Sequence, residues 1–272
     1  MSIDETSLSN GELYTILTNK ANKGKKGTIV AIIAGTKAET VIAIIEKIPL
    51  RQRNLVEEIT LDMAGNMGLI AKKCFLNATR VTDRFHVQKL ALEALQEIRI
   101  KYRWQAIDQE NEAIEIAKKN KKSFECEVLK NGDTIKQLLA RSRYLLYKNK
   151  SKWTANQIER ADILFELYPD IEKAYQLAQD LRNIFEKTTD KIIGLSRLAR
   201  WHEKVNQSGF KSFNTISRSI INHYQTILNY FDNRSTNASA ESFNTKIKAF
   251  RTQFRGVRNI NFFLFRLTNI YA

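Results

Sequence analysis

Four acidic residues stand out by where they fall in the local pattern of the chain: Asp4, Asp62, Asp83 and Glu241. Ile59, Leu61 and Met63 alternate with Thr60 and Asp62, the two-residue period of a strand. Gly65 then opens a short amphipathic segment from Met67 to Phe75, so Asp62 falls where strand gives way to helix. Thr79, Val81 and Thr82 favour extended backbone, and Asp83 follows at the entry of a long helix, with His86 three positions on. Asp4 lies at the acidic end of a short first strand, MSIDETS, and Glu241 in the first turn of a late helix, ESFNTKIKAF. Brought together, carboxylates are hard oxygen donors for Mg²⁺ or Mn²⁺. Paired ions make a water or a hydroxyl nucleophilic and neutralise the leaving oxygen of a phosphodiester. Plainer readings compete at each position. An Asp at such a junction caps a helix, and a Glu in a first turn complements the helix dipole.

The elements that must position these acids follow from the rest of the chain. Leu13 to Thr18 reads as a second strand, residues 19–27 as a basic hairpin loop, and Thr28 to Ala34 as a third strand. That third strand is almost wholly apolar, which predicts burial on both faces. Lys37 to Ile48 is helical by pattern and stops before Pro49. From Val87 strand signals almost vanish. Helices are expected at Val87–Asn120, Asp133–Tyr147, Thr154–Leu167, Pro169–Lys187, Asp190–Asn206 and Phe210–Phe231. Asp133, Thr154, Pro169 and Asp190 carry the start signals. Trp104 and Trp153 are expected to pack. The chain has 272 residues, enough for one large domain with an insertion, and a formal net charge of +15, which suits an anionic polymer as partner. Its two cysteines, Cys74 and Cys126, form no metal or disulfide pattern. No apolar run reaches membrane-spanning length and no signal peptide is recognisable, so no membrane partner and a cytoplasmic location are expected.

Three antiparallel strands followed by parallel ones match the ribonuclease H-like arrangement, an α/β fold with a mixed five-stranded sheet, here interrupted by a large all-helical insertion. The first strand is then central and the fourth lies beside it, so Asp4 and Asp62 come about 5 Å apart in backbone, with Asp83 one strand further out. Carboxylates that close repel unless a cation sits between them. Glu241 is the candidate third acid. The division expected is 1–87 and 233–272 for the core and 88–232 for the insertion.

The stretches IDETSLSNGELYTIL, LDMAGNM, VTDRFHV and above all NASAESFNTKIKAFRTQFRGVRNINFFLFRL resemble bacterial insertion-sequence transposases of the DDE type, in the ISL3 group. The resemblance covers essentially the whole chain. It implies DNA strand cleavage and transfer, with Asp4, Asp62 and Glu241 as the catalytic, metal-holding acids. Asp83 and His86 match a D-x-x-H element seen in related enzymes. With Asn244 they are expected to support the acids from behind. Lys246, Lys248, Arg251, Arg255 and Arg258 recur along the last helix and its continuation, as a phosphate backbone would need. Trp201 is a candidate for stacking on an unpaired base. The resemblance further implies transposon ends and target DNA as partners, a homo-oligomer assembled on DNA, and association with the bacterial nucleoid when bound. Members usually carry an N-terminal zinc-ribbon and helix-turn-helix. Their lack here suggests a separately encoded DNA-binding polypeptide or a decayed fragment. A ribonuclease H-like nuclease without strand transfer, or an inactive DNA-binding remnant, are the alternatives.

Overall fold

A computed structural model describes residues 1–7, 12–253 and 259–272. The chain divides into two compact units: Met1–Val87, Thr189–Lys191 and Asn222–Ala272 form the first, Gln88–Thr188 and Ile192–Ile221 the second.

The first unit is built on a sheet of β1 (Ser2–Ser7), β2 (Leu13–Thr18), β3 (Ile29–Ala34), β4 (Glu58–Leu61) and β5 (Thr79–Thr82), in the order β3-β2-β1-β4-β5. β1 pairs antiparallel with β2 and parallel with β4, and β4 runs parallel to β5. This is the mixed five-stranded sheet expected from the sequence. Alternation sorts its faces. Ile3, Leu17, Ile33, Ile59 and Leu61 bury one face against α1 (Ala38–Ile45) and α3 (Gly65–Cys74). The short α2 (Leu50–Arg53) lies between these helices in sequence. Tyr14, Ile16 and Ile29 bury the other face against Phe243 and Ile247 of α12 (Ala238–Gln253) and Phe263 and Leu267 of α13 (Ile260–Tyr271).

Two strand expectations change. β3 is an edge strand, with Val30 40% exposed, so its apolar run is not buried on both faces. A continuous apolar run cannot tell a central strand from an edge whose inner face packs on helices. Asp4 lies mid-strand rather than at the end, because β1 continues to Ser7 along β2.

The second unit is helical. It takes α4 (Arg84–Lys119) from Gln88 onward, then α5 (Ile135–Leu146), α6 (Ala155–Leu167), α7 (Pro169–Lys187), α8 (Lys191–Ser208) from Ile192, and α9 (Lys211–Asn222) up to Ile221. Thr154 caps α6 in a reciprocal pair with Gln157, and Pro169 occupies the first turn of α7. The expected helix Phe210–Phe231 is three helices, α9, α10 (Tyr224–Leu228) and α11 (Tyr230–Asn233), of which the last two belong to the first unit. There the Thr226 and Thr82 hydroxyls share a 2.7 Å hydrogen bond, and Asn229 Nδ2 donates to Arg80 O at 2.9 Å, closing the free edge of β5. Trp153 packs as expected, its indole N–H donating to Leu145 O at 2.8 Å. Trp104 does not, and is 60% exposed.

The cap of α5 is Thr134, paired with Gln137, and Asp133 does something else. Asp133 is fully buried and accepts hydrogen bonds from Arg141 and Arg160. Burial alone would raise its carboxyl, but the two guanidinium groups outweigh this and hold it below the ordinary 3.8. We expect Asp133→Asn to cost the helical unit roughly 1–3 kcal/mol at neutral pH, because two guanidinium groups lose their charge partner. The folded pKa being the lower one, the stabilisation is complete above 3.8 and fades as the pH falls through the folded value. Urea unfolding of both proteins at neutral and acid pH checks this: the gap must close in acid.

Candidate active site

Strand register sets the positions of three aspartates. Ser2 lies opposite Thr60, so two residues further along each strand Asp4 comes level with Asp62. Leu61 lies opposite Thr82, so Asp62 comes level with Asp83. The Asp83 N–H donates to Leu61 O at 2.9 Å, carrying the ladder one step past β5. The three form a row across strands spaced about 4.8 Å apart. Ile3, Ile59 and Leu61 face α1 and α3, so Asp4 and Asp62, one residue later, start out on the opposite face.

Local bonds hold two of the carboxylates. Asp62 Oδ1 accepts from the Ala64 N–H at 2.8 Å, and Asp83 Oδ1 from the Phe85 N–H at 3.3 Å. Asp83 caps the first turn of α4 with that oxygen, whereas Asp62 does not cap α3, whose cap position is Ala64, and its bond instead holds the turn leading into the helix. For Asp83 the second oxygen is buried without a hydrogen-bond partner, and the same holds for His86 Nε2.

α12 closes the row from above. Its Phe243 and Ile247 anchor in the apolar cluster on that face, which turns Glu241 and Asn244, one helical turn apart, toward the acids. Asn244 Nδ2 donates to Asp4 Oδ2 at 2.7 Å, while Asn244 Oδ1 is buried without a partner. Ligand atoms of Asp83, His86 and Glu241 all lie within 4.8 Å of one another. The sequence had assigned Asp83 and His86 to supporting roles; the fold brings both into ligand reach of Glu241.

The electrostatics follow from burial first and from crowding second. Burial raises the Asp4 carboxyl above 3.8. The Glu5 N–H and His86 oppose this, and Asp62 and Asp83 push further upward. The neighbouring Glu5 is raised as well, by burial and then by Asp62 and Asp4. Glu5 was not singled out in the sequence; two adjacent acids in one strand were the available signal. Like charges gathered beside orphaned donor atoms are a fitting donor set for a divalent cation, with oxygen predominating and one imidazole nitrogen.

The profile of the ISL3-type DDE transposases, described simply as transposase, matches residues 1–267. The chain belongs to that family. Among curated proteins, the transposase for insertion sequence element IS1001 of Bordetella parapertussis is 22% identical over 271 residues, covering 98% of this chain. The chain spans 59% of that relative's length. No solved structure matches it.

The residues expected to face DNA in this transposase-family chain divide. Lys246 and Lys248 are exposed, but two positions along a helix they point to different sides. Arg251 stacks its guanidinium over Phe263, 5.1 Å from the ring centre. Arg255 and Arg258 lie outside the described residues. Trp201 departs from the stacking expectation. It is buried in the helical unit, its indole N–H donating to Leu177 O at 2.8 Å, so no ring face is presented to a base. The sequence reading missed the β2–β3 hairpin as a candidate surface, where Lys23, Lys25 and Lys26 are exposed. Gly24 in that turn has φ +77°, and a Cβ there would stand 2.9 Å from Lys246 Nζ, so hairpin and α12 bring their lysines together. The run KANKGKKG was the signal, read only as a basic hairpin loop.

The Asn244–Asp4 bond tests the arrangement. We expect a double-mutant cycle of Asn244→Ala and Asp4→Ala to give a coupling of about 1–2 kcal/mol in thermal or urea unfolding, as for a part-buried bond to a carboxylate. Additive effects would mean that α12 does not hold Asp4.

Proposed function

We propose that this chain is the catalytic part of an insertion-sequence transposase that cuts DNA strands and joins their 3′ ends to target DNA. Asp4, Asp62 and Glu241 are the catalytic acids in this reading. The observation that carries it is the row formed by Asp4 on β1 and by Asp62 and Asp83 just past the ends of β4 and β5, with α12 above it, Asn244 bonded to Asp4 and Glu241 one turn away. Residues 1–87 and 233–272 make up the core and 88–232 the insertion. The packing of Thr226 and Asn229 on β5 favours counting the chain from Asn222 with the core. DNA ends and target are the partners, and the assembly on DNA is a homo-oligomer.

Bound Mg²⁺ or Mn²⁺ supplies the activation of a water or 3′-hydroxyl and the neutralisation of the leaving oxygen. The chain's residues do the rest. Asp4 and Asp62 supply oxygens fixed by strand register, which keeps them from spreading apart under their own repulsion. Asn244 orients the Asp4 carboxylate through its second oxygen. Asp62 uses Oδ1 for the Ala64 N–H, which leaves its other oxygen outside that bond. Lys246 with Lys23, Lys25 and Lys26 gives the phosphate backbone a basic surface on the same unit.

Asp62→Asn and Glu241→Gln are expected to abolish cleavage and strand joining on transposon-end DNA while leaving DNA binding intact. Binding should weaken steeply as salt is raised, since phosphate contacts release counterions. Cleavage at the parent's rate by either variant would defeat the reading. Cleavage without joining by the parent would favour a hydrolytic nuclease. Inactivity of the parent with every divalent ion, in an assembly that binds the ends, would favour a binding remnant.

A further inference from the structure

Asp4, Asp62 and Glu241 supply the oxygen ligands of the proposed reaction, which leaves the buried Asp83 and the half-buried His86 without a task. Asp83 is fully buried; its Oδ1 is satisfied by the Phe85 N–H, and its Oδ2 has no hydrogen-bond partner. His86 Nε2 is buried without one as well. An unpaired buried carboxylate oxygen is costly, and so is an unpaired ring nitrogen. Both belong to residues with a ligand atom within 4.8 Å of one on Glu241.

We propose that Asp83, His86 and Glu241 form a cation position of their own, one that takes a divalent first-row transition ion through one imidazole nitrogen and two carboxylates. Ligand atoms about 2.1 Å from a shared ion stand roughly 3–4 Å apart, so small rotamer adjustments close the present spacing. The nitrogen decides the selectivity. Mg²⁺ and Ca²⁺ prefer oxygen, whereas imidazole suits Fe²⁺, Ni²⁺ and Zn²⁺; Mn²⁺ also favours oxygen but accepts an imidazole more readily than Mg²⁺ does, which makes it a usable probe of this position. The three-residue spacing of Asp83 and His86 puts both on one face at the start of α4, and the Asp83 backbone is fixed by the β4 ladder. Glu241 has two oxygens, so it can serve this position and the row of aspartates together. Of the proposed function this inference uses only the placement of Glu241, and binding here needs no DNA.

The experiment is pulsed electron paramagnetic resonance on the full chain carrying less than one equivalent of Mn²⁺ in excess Mg²⁺, without DNA. The expected result is the nitrogen coupling of a bound imidazole. His86→Asn should remove that coupling and weaken Mn²⁺ binding by at least about tenfold, the scale seen when metal-site partners are lost. His86→Gln, checked for an unchanged unfolding midpoint without metal, separates ligand loss from misfolding. Glu241→Gln should weaken the same Mn²⁺ signal, and Asp62→Asn should keep the nitrogen coupling. Absence of the coupling in the parent overturns the proposal. So does coupling that persists without His86, since it would then come from His202 or His223. Cleavage that survives in Asp62→Asn overturns the proposed function and leaves this site standing.

Discussion

The first unit depends on a repulsion that strand pairing does not allow to relax. Parallel register puts Asp4, Asp62 and Asp83 level with one another. Left to themselves, three carboxylates at strand spacing would move apart or take up protons. The sheet prevents the first, because β1 is held on both edges, by β2 and by β4. The Asp4 carboxyl is raised, by burial first, and the neighbouring Asp62 and Asp83 charges push it the same way. Such a row is a liability for a structure and an asset for a site that has to hold positive ions near a polyanion.

The remaining elements can be understood as what keeps that row in place. α1 and α3 bury the reverse face through Val41, Ile45, Met67 and Ile70, so strand slippage by one residue would drive acids into an apolar core. α12 and α13 cover the front, and their apolar contacts fall on β2 and β3, where Tyr14, Ile16 and Ile29 meet Phe243 and Ile247. The acidic end of the row is therefore left to polar contacts: Asn244 on Asp4, and Glu241 beside Asp83 and His86. Hydrophobic packing positions the helix, and its first turns carry Glu241 and Asn244.

How much of this was legible in the sequence varied with the range of the interaction responsible. The strand-to-helix junctions at Asp62 and Asp83 could be read because alternation in Ile59–Met63 and the β-branched run before Asp83 are local. The helices could be read for the same reason. The edge position of β3 could not, since strand order is decided by pairings far apart in sequence, and an apolar strand looks alike at centre and edge. Asp133 showed a cap pattern, yet its partners Arg141 and Arg160 lie on two later helices, and the cap passed to Thr134. Trp201 illustrates the limit of residue type as a guide. An aromatic ring serves a core as well as a base, and only its burial and the bond to Leu177 tell which. At the site, Glu241 was nominated by its helix entry and its family motif. Nothing local to VTDRFHV shows that Asp83 and His86 end beside it.

The D-x-x-H element formed by Asp83 and His86 does more than begin a helix. Asp83 could cap α4 equally well with an alcohol, as Thr134 and Thr154 do for α5 and α6. A serine or threonine there would satisfy the Phe85 N–H without leaving a buried oxygen unpaired. Retaining a carboxylate that uses one oxygen for the cap and buries the other costs stability in the absence of a cation. His86 adds a second unpaired atom one turn later. Two such costs side by side, facing a glutamate on a helix that is itself pinned to Asp4, are hard to account for by capping alone. A bound cation accounts for all of them at once, and it couples the entry of α4 to the entry of α12 through a single charge.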